Sequence, residues 1–241
     1  MSNEKSGNVY NEVYAAFGTR SAILLADSTL VWLNSGSSLR YPEKFDVKHR
    51  QVYLKGEGYF EVKSDISRPF LVQTANLLIK ATGTKFSVFD YDLNTDKEVT
   101  LVTGKLSLDN PSAKDLQPIA ELHPGQHLEF NIKTQTKSIR EEDVYKYVAW
   151  KDGKLIFRND LLSEVVKKIG MMYNVDIEIQ GDELKEYRYR ATFKDETLEE
   201  ILKLLKMSSP IDYREVKRTI EPDGTYPRKK VILYKKQTAQ K

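Results

Sequence analysis

The run Arg50-Gln51-Val52-Tyr53-Leu54-Lys55-Gly56-Glu57-Gly58-Tyr59-Phe60-Glu61-Val62-Lys63 constrains the fold more than any other stretch of this sequence. Val52, Leu54, Gly56, Gly58, Phe60 and Val62 fall on one side of a strand, and Tyr53, Lys55, Glu57, Tyr59, Glu61 and Lys63 on the other. The period of two predicts a long strand with one side given to a core. Gly56 and Gly58 bring no side chain to that inner row, so either a bulky neighbour approaches the backbone there or the strand bends sharply.

Short strands and turns alternate around this spine from Val9 to about Arg140, with no sustained 3.6-residue period. Arg20 to Leu25 and Thr29 to Asn34 read as a hairpin joined through Ala26-Asp27-Ser28. Further strands are predicted at Ser38 to Tyr41, Pro69 to Thr74, Leu77 to Ala81, Thr84 to Tyr91, Glu98 to Thr103, Lys105 to Leu108, Gln126 to Ile132 and Lys137 to Arg140. Breaks at Gly83, Gly104 and Pro124-Gly125 separate them. Strands this short and frequent indicate a sandwich, a barrel or a β-solenoid. Asp109 to Gln117 has the composition of an exposed, protease-sensitive loop.

The pattern changes after Glu141-Glu142-Asp143. A strand at Lys154 to Phe157 leads into a helix whose stripe is Leu161, Leu162, Val165, Val166, Ile169 and Met172, and a strand follows at Val175 to Ile179. The unit then recurs without a gap: Phe157 aligns with Phe193, Asn159 with Asp195, Leu162 with Leu198, Ile169 with Leu205 and Asp176 with Asp212. Asn159 or Asp160 is the predicted cap of the first helix, and Asp195, or Thr197 in a capping box with Glu200, that of the second. Asn174 and Pro210 are the predicted stops. A last strand, Lys230 to Tyr234, precedes a polar tail. The expected organisation is a loose leader over 1–8, an all-β domain over 9–148 and a small α+β domain with two β-α-β repeats over 149–241.

Charge and motifs narrow the function classes. The chain has 241 residues, 38 Lys and Arg against 35 Asp and Glu, and a net charge of +3, far from the basic bias of a nucleic-acid binder. With no cysteine there is no disulfide, thiolate metal site or cysteine nucleophile. No apolar run reaches the roughly 18 to 20 residues a spanning helix needs, and the first seven residues lack the apolar core of a signal peptide. Glu57 and Glu61 lie about 13 Å apart along a strand, too far for the ~5 to 9.5 Å of a glycosidase pair, so they read as a solvated, charge-alternating face with Lys55 and Lys63. His123 and His127 flank Pro124-Gly125 and read as a surface turn rather than a metal clamp. Trp32, beside Leu30 and Val31, reads as core rather than a sugar platform. Arg228-Lys229-Lys230 and Lys235-Lys236 bracket an apolar strand and read as a solubilised sheet edge. Neither phosphate-binding nor nucleophile-elbow motifs occur, so neither enzymatic activity nor a cofactor is expected.

A series of these residues resembles the FecR-type periplasmic anti-sigma regulators, particularly their Bacteroidetes branch. The likeness is carried by Gly18-Thr19-Arg20, Leu25 to Ser35 with Trp32 and Asn34, Leu39 to Pro42, Val52 to Val62 with Gly56, Glu57, Gly58, Tyr59 and Phe60, Pro69-Phe70, Gly83 to Phe86, Val99 to Leu101, Leu122 to Gly125 and Ala149 to Gly153 with Trp150. It spans most of the chain in the family's order. Two departures stand out: the family's Pro-Asp-Gly turn is Ala26-Asp27-Ser28 here, and its Gly-Glu-Ala is Gly56-Glu57-Gly58.

The resemblance implies a β-rich sensor domain followed by a domain similar to the short signalling domain of secretins and TonB-dependent receptors. In such regulators a cytoplasmic segment holds an extracytoplasmic-function sigma factor, one helix spans the inner membrane, and the periplasmic part hears from an outer-membrane transporter. This chain is expected to be that periplasmic part, reaching sigma factor and membrane only through segments outside it. Its expected partner is the transporter's periplasmic signalling domain, joined by strand addition at an exposed edge. The two candidate edges are Arg188 to Phe193 and Lys230 to Tyr234, with Tyr187, Tyr189, Ala191, Phe193, Ile232 and Tyr234 as contact residues. A carbohydrate-binding module, with Tyr53 and Tyr59 as an exposed row, and a glycan hydrolase are the rivals from other classes.

Overall fold

A computed structural model describes residues 9–92, 94–111, 117–222 and 224–236. The predicted leader therefore lies outside the described residues, as do residues 112–116 of the predicted loop. The chain divides into two compact units, Met1–Lys151 and Asp152–Lys241.

In the first unit the strands are β1 (Tyr10–Tyr14), β2 (Ser21–Leu24), β3 (Leu30–Leu33), β4 (Ser38–Pro42), β5 (Arg50–Glu61), β6 (Phe70–Gln73), β7 (Leu78–Ala81), β8 (Lys85–Asp90), β9 (Asp96–Thr103), β10 (Leu106–Asn110), β11 (Gln117–Leu122), β12 (Gln126–Asn131) and β13 (Thr136–Glu141). One turn of helix, α1 (Tyr145–Val148), closes the unit. The strands form one curled sheet, whose main path runs β11-β10-β7-β6-β5-β8-β9-β12-β13.

β5 is the hub, and it bends. Its first half pairs with β4 and, in parallel, with β6; its second half pairs with β3 and β8. The change of partners falls at Gly56, whose φ of +88° belongs to the left-handed region that only glycine adopts at low cost. A Cβ there would stand 2.5 Å from Ser37 Oγ. Both alternatives posed by the sequence are thus realised at one residue. Val52, Leu54, Phe60 and Val62 lie in the core as the period of two requires, with Phe60 stacked on Phe86 at 5.0 Å.

The outer row departs from expectation. Glu57 is buried rather than solvated, and Tyr59 beside it is buried as well, because β5 is covered on both faces beyond the bend. The flanks of the predicted loop are strand, β10 running on to Asn110 and β11 starting at Gln117. β1, not foreseen, pairs antiparallel with β4.

The second unit contains β14 (Lys154–Leu161), α2 (Leu162–Tyr173), β15 (Val175–Gln180), α3 (Asp182–Lys185), β16 (Arg188–Lys194), α4 (Leu198–Ser208), β17 (Ile211–Glu215) and β18 (Lys229–Lys235). The doubled pattern is real in three dimensions. Asn159 and Asp195, aligned by the repeat, both adopt left-handed backbone (φ 73° and 68°), and Phe157 and Phe193 meet edge to face at 6.0 Å. Thr197 and Glu200 form the expected capping box on α4, and left-handed Asn174 ends α2. Leu161, not Asn159 or Asp160, occupies the N-cap of α2 and offers no side-chain bond; Asp160 instead accepts from the Arg158 N–H inside a bulge of β14. The strands pair by position in the repeat: β14 with β16, while β15 and β17 flank β18. The helical stripes, Leu162, Val165, Val166 and Ile169 with Ile201, Leu202 and Leu205, share one core with Val231 and Leu233.

Candidate partner-binding surface

Antiparallel pairing sets Leu155 opposite Phe193 and Phe157 opposite Ala191, and these residues line the core side of the β14–β16 ladder. Tyr189 continues that side; it is buried, its hydroxyl is 2.8 Å from Ser209 Oγ, and burial raises its pKa. Tyr187 and Ala191 are half-buried against the same core. Of the expected contact residues on this strand, Tyr189 and Phe193 are therefore structural supports. Those that reach solvent are the alternate residues Arg188, Arg190, Thr192 and Lys194. Their Arg-x-Arg-x-Thr-x-Lys spacing is visible in the sequence, alternating with the more conspicuous aromatic row. Among the described residues β16 pairs with β14 alone, so its second edge carries no strand.

The other expected edge does not exist. β18 is the middle strand of its sheet, parallel to β15 and antiparallel to β17. Ile232 lies between Glu178 and Arg214 and is buried, and Tyr234 lies between Gln180 and Asp212. The flanking lysines do not blunt an edge; Lys230 reaches Glu178 at 2.7 Å and Lys229 reaches Glu215 at 2.8 Å on the neighbouring strands.

In the first unit the singled-out residues gather into two polar and aromatic clusters. Trp32 packs on Tyr59 at 5.5 Å, and Tyr59 shares a small apolar cluster with Val148 and Trp150. Arg20 donates to the Trp150 carbonyl at 2.7 Å, joining the Gly18-Thr19-Arg20 and Ala149-Trp150-Lys151 stretches. Asn34 donates from Nδ2 to Glu57 Oε2 at 2.7 Å, the Glu57 N–H donates to Ser37 Oγ, and the Tyr91 hydroxyl donates to the Ser35 carbonyl. Burial, and then the Glu57 charge, push the Tyr91 phenol far above its ordinary range. Gly83 lies against Ser64 beside the β8 entry. Glu57 is thus a buried hydrogen-bonded carboxylate, and Glu61 pairs with Lys85 at 3.1 Å.

His127 is also corrected. It sits within β12, buried, not on a surface turn; its ring stacks on Tyr147 of α1 at 3.7 Å and its Nδ1 lies 2.8 Å from Thr100 Oγ1. Its Nε2 is 3.8 Å from Glu98 and 3.7 Å from Glu129. Among the described residues no group of three or more His, Asp or Glu side chains is placed to hold a metal ion. None of the described helices is long and apolar enough to cross a membrane. The arrangement offers buried polar links and, in the β14–β16 ladder, unpaired strand edges among the described residues, which is chemistry for recognition.

Two family models match the chain, "FecR protein" over residues 11–107 and "FecR, C-terminal" over residues 154–221. The second covers β14 through β17. Two crystal structures, each of a candidate anti-sigma factor from Parabacteroides distasonis and solved at 1.65 Å and 2.50 Å, superpose with TM-scores of 0.79 and 0.77. Each is 27% identical, and the alignments cover 94% and 95% of this chain and 100% of the other. No curated protein sequence matches. The chain belongs to the FecR family of anti-sigma regulators.

Proposed function

We propose that this chain is the periplasmic, non-catalytic relay of a single-pass FecR-type regulator. Its C-terminal unit receives the periplasmic signalling domain of a TonB-dependent outer-membrane transporter, and a cytoplasmic segment outside this sequence acts on an extracytoplasmic-function sigma factor. One observation carries the reading: the FecR and FecR C-terminal models fall in family order on two separately cored units. The open edge of β16 supports strand addition as the mode of docking, since an unpaired row of N–H and C=O groups supplies affinity without a pocket.

The carbohydrate-binding alternative needs an exposed aromatic row, and Tyr59 is buried while Tyr53 is half-buried against Tyr10 and Arg40. Titration of the full chain with the isolated signalling domains of TonB-dependent transporters from the same organism tests the relay. Saturable binding of one domain, mapped by amide shifts to residues 152–236, is the expected result. Binding confined to the first unit, or no binding to any such domain, would overturn it.

A further inference from the structure

Register in the β14–β16 ladder puts like charges face to face. Lys154 stands opposite Lys194 and Arg158 opposite Arg190, on the side away from the core, and Arg188 extends the row. Directly opposed like charges destabilise an antiparallel pair. Lys194 has Asp195 3.9 Å away, but among the described residues Arg158, Arg188 and Arg190 have no carboxylate within ion-pair distance. Arg158 Nη1 reaches only the Phe157 carbonyl and Thr192 Oγ1, at 3.3 and 3.4 Å, and Arg188 Nη1 donates to the Asn159 carbonyl at 2.8 Å. The three-stranded sheet of the same unit is built the other way, with Lys230 on Glu178 and Lys229 on Glu215.

The uncompensated arginines lie on and beside β16, an edge strand that, among the described residues, pairs with β14 alone. The geometry points to β16 as the seat of an acidic partner strand, an extended protein segment with carboxylates at alternate positions. Main-chain hydrogen bonds along the open edge would hold it, and its carboxylates would face Arg188 and Arg190, with Arg158 adding to the potential from the neighbouring strand. Strand addition fixes which residues share a face, so the period of two in the arginines selects the same period in the acids. The inference rests on the relay reading and gives its partner a chemical character: the transporter domain presents an acidic strand.

The probe is a synthetic Thr-Glu-Val-Glu-Val-Glu-Thr peptide, with Lys in place of Glu as control, titrated into the full chain and into the R188E/R190E double variant, whose fold is verified by circular dichroism. Wild type is expected to take the acidic peptide alone, with amide shifts on residues 188–194 and an affinity that falls at least about tenfold between about 50 and 300 mM salt. The double variant is expected to exchange that preference for the lysine peptide. Equal binding of both peptides, shifts elsewhere, or acidic-peptide binding that survives charge reversal would overturn the acidic strand. So would attraction to anionic lipid vesicles with no protection of β16 amides from exchange, which would mark the row as a membrane contact. A signalling domain that binds wild type and double variant alike would remove this inference and leave the relay standing. Acidic-peptide binding on β16 with no signalling domain bound would do the reverse.

Discussion

Arg50 Nη1 donates to Asp27 Oδ2 at 2.7 Å, with the two side chains only 1% and 7% exposed. The guanidinium also donates to the Arg68 and Lys63 carbonyls at 2.8 Å, and Asp27 accepts from the Thr29 N–H and hydroxyl. One buried pair thus ties the β2–β3 turn to the start of β5 and to the segment leading into β6. Removing one member leaves the other charged and dry. Arg50→Met and Asp27→Asn are each expected to cost about 3–5 kcal/mol, while the double variant costs less than their sum. Urea unfolding of the four proteins measures the coupling; strict additivity would show that the pair does not act as a unit.

Gly56 and Gly58 are expected to differ sharply. At Gly56 an added methyl meets Ser37 Oγ at 2.5 Å on a backbone of positive φ, and it would dislodge the Ser37 bond to the Glu57 N–H. At Gly58 the neighbours are the flexible end of Leu54 and the Phe60 ring, at 3.1 Å or more. Gly56→Ala should cost more than about 2 kcal/mol, whereas Gly58→Ala should stay within about 1 kcal/mol. That ordering fits the resemblance noted above, in which alanine stands at the second position. Thermal unfolding would decide, and equal losses would refute the bend at Gly56.

Ser28 closes the β2–β3 turn at φ 67°. A non-glycine residue there carries a steric cost, and Ser28→Gly relieves it at some expense in unfolded-state entropy. The expected net gain is about 0.5–1 kcal/mol, seen as a higher urea midpoint with an unchanged slope. A destabilised variant would mean that the serine side chain supports the turn.

What could be read in advance followed from local periodicity. The period of two placed Val52, Leu54, Phe60 and Val62 correctly, and the recurrence of Phe157, Asn159 and Leu162 at Phe193, Asp195 and Leu198 announced two matched halves. What escaped was set by partners distant in sequence. Lysines around Val231 to Tyr234 look like edge protection until β15 and β17 are seen to supply Glu178 and Glu215. Glu57 looks solvated until Asn34 and Ser37 are folded over it, and His127 looks like a turn residue until α1 brings Tyr147 onto its ring. At the candidate surface the strand was legible and the facing side was not. Aromatic residues suggested anchors, but the register turns Tyr189 and Phe193 inward and leaves the arginines outside.

Acid should loosen the attachment of α1 to the sheet. Glu129 on β12 faces His127, 3.7 Å away, and pairs with Arg140 on β13; these two, in that order, hold its carboxyl down at about 2 against the opposing effect of burial. A carboxyl whose folded value lies below its unfolded one, near 4.3, contributes stability that is complete above the unfolded value and is lost as pH falls through the folded one. The window is therefore about pH 4.3 down to 2. Glu129 is 40% exposed, so solvent screening keeps the effect below about 1 kcal/mol. Glu129→Gln is expected to flatten the acid limb of the stability–pH curve between those limits and to leave the curve above pH ~5 parallel to wild type. Hydrogen exchange of the Tyr145–Val148 amides in wild type should quicken over the same window, beyond the intrinsic pH dependence of exchange. An acid limb unchanged by the substitution would show that Glu129 does not couple protonation to folding.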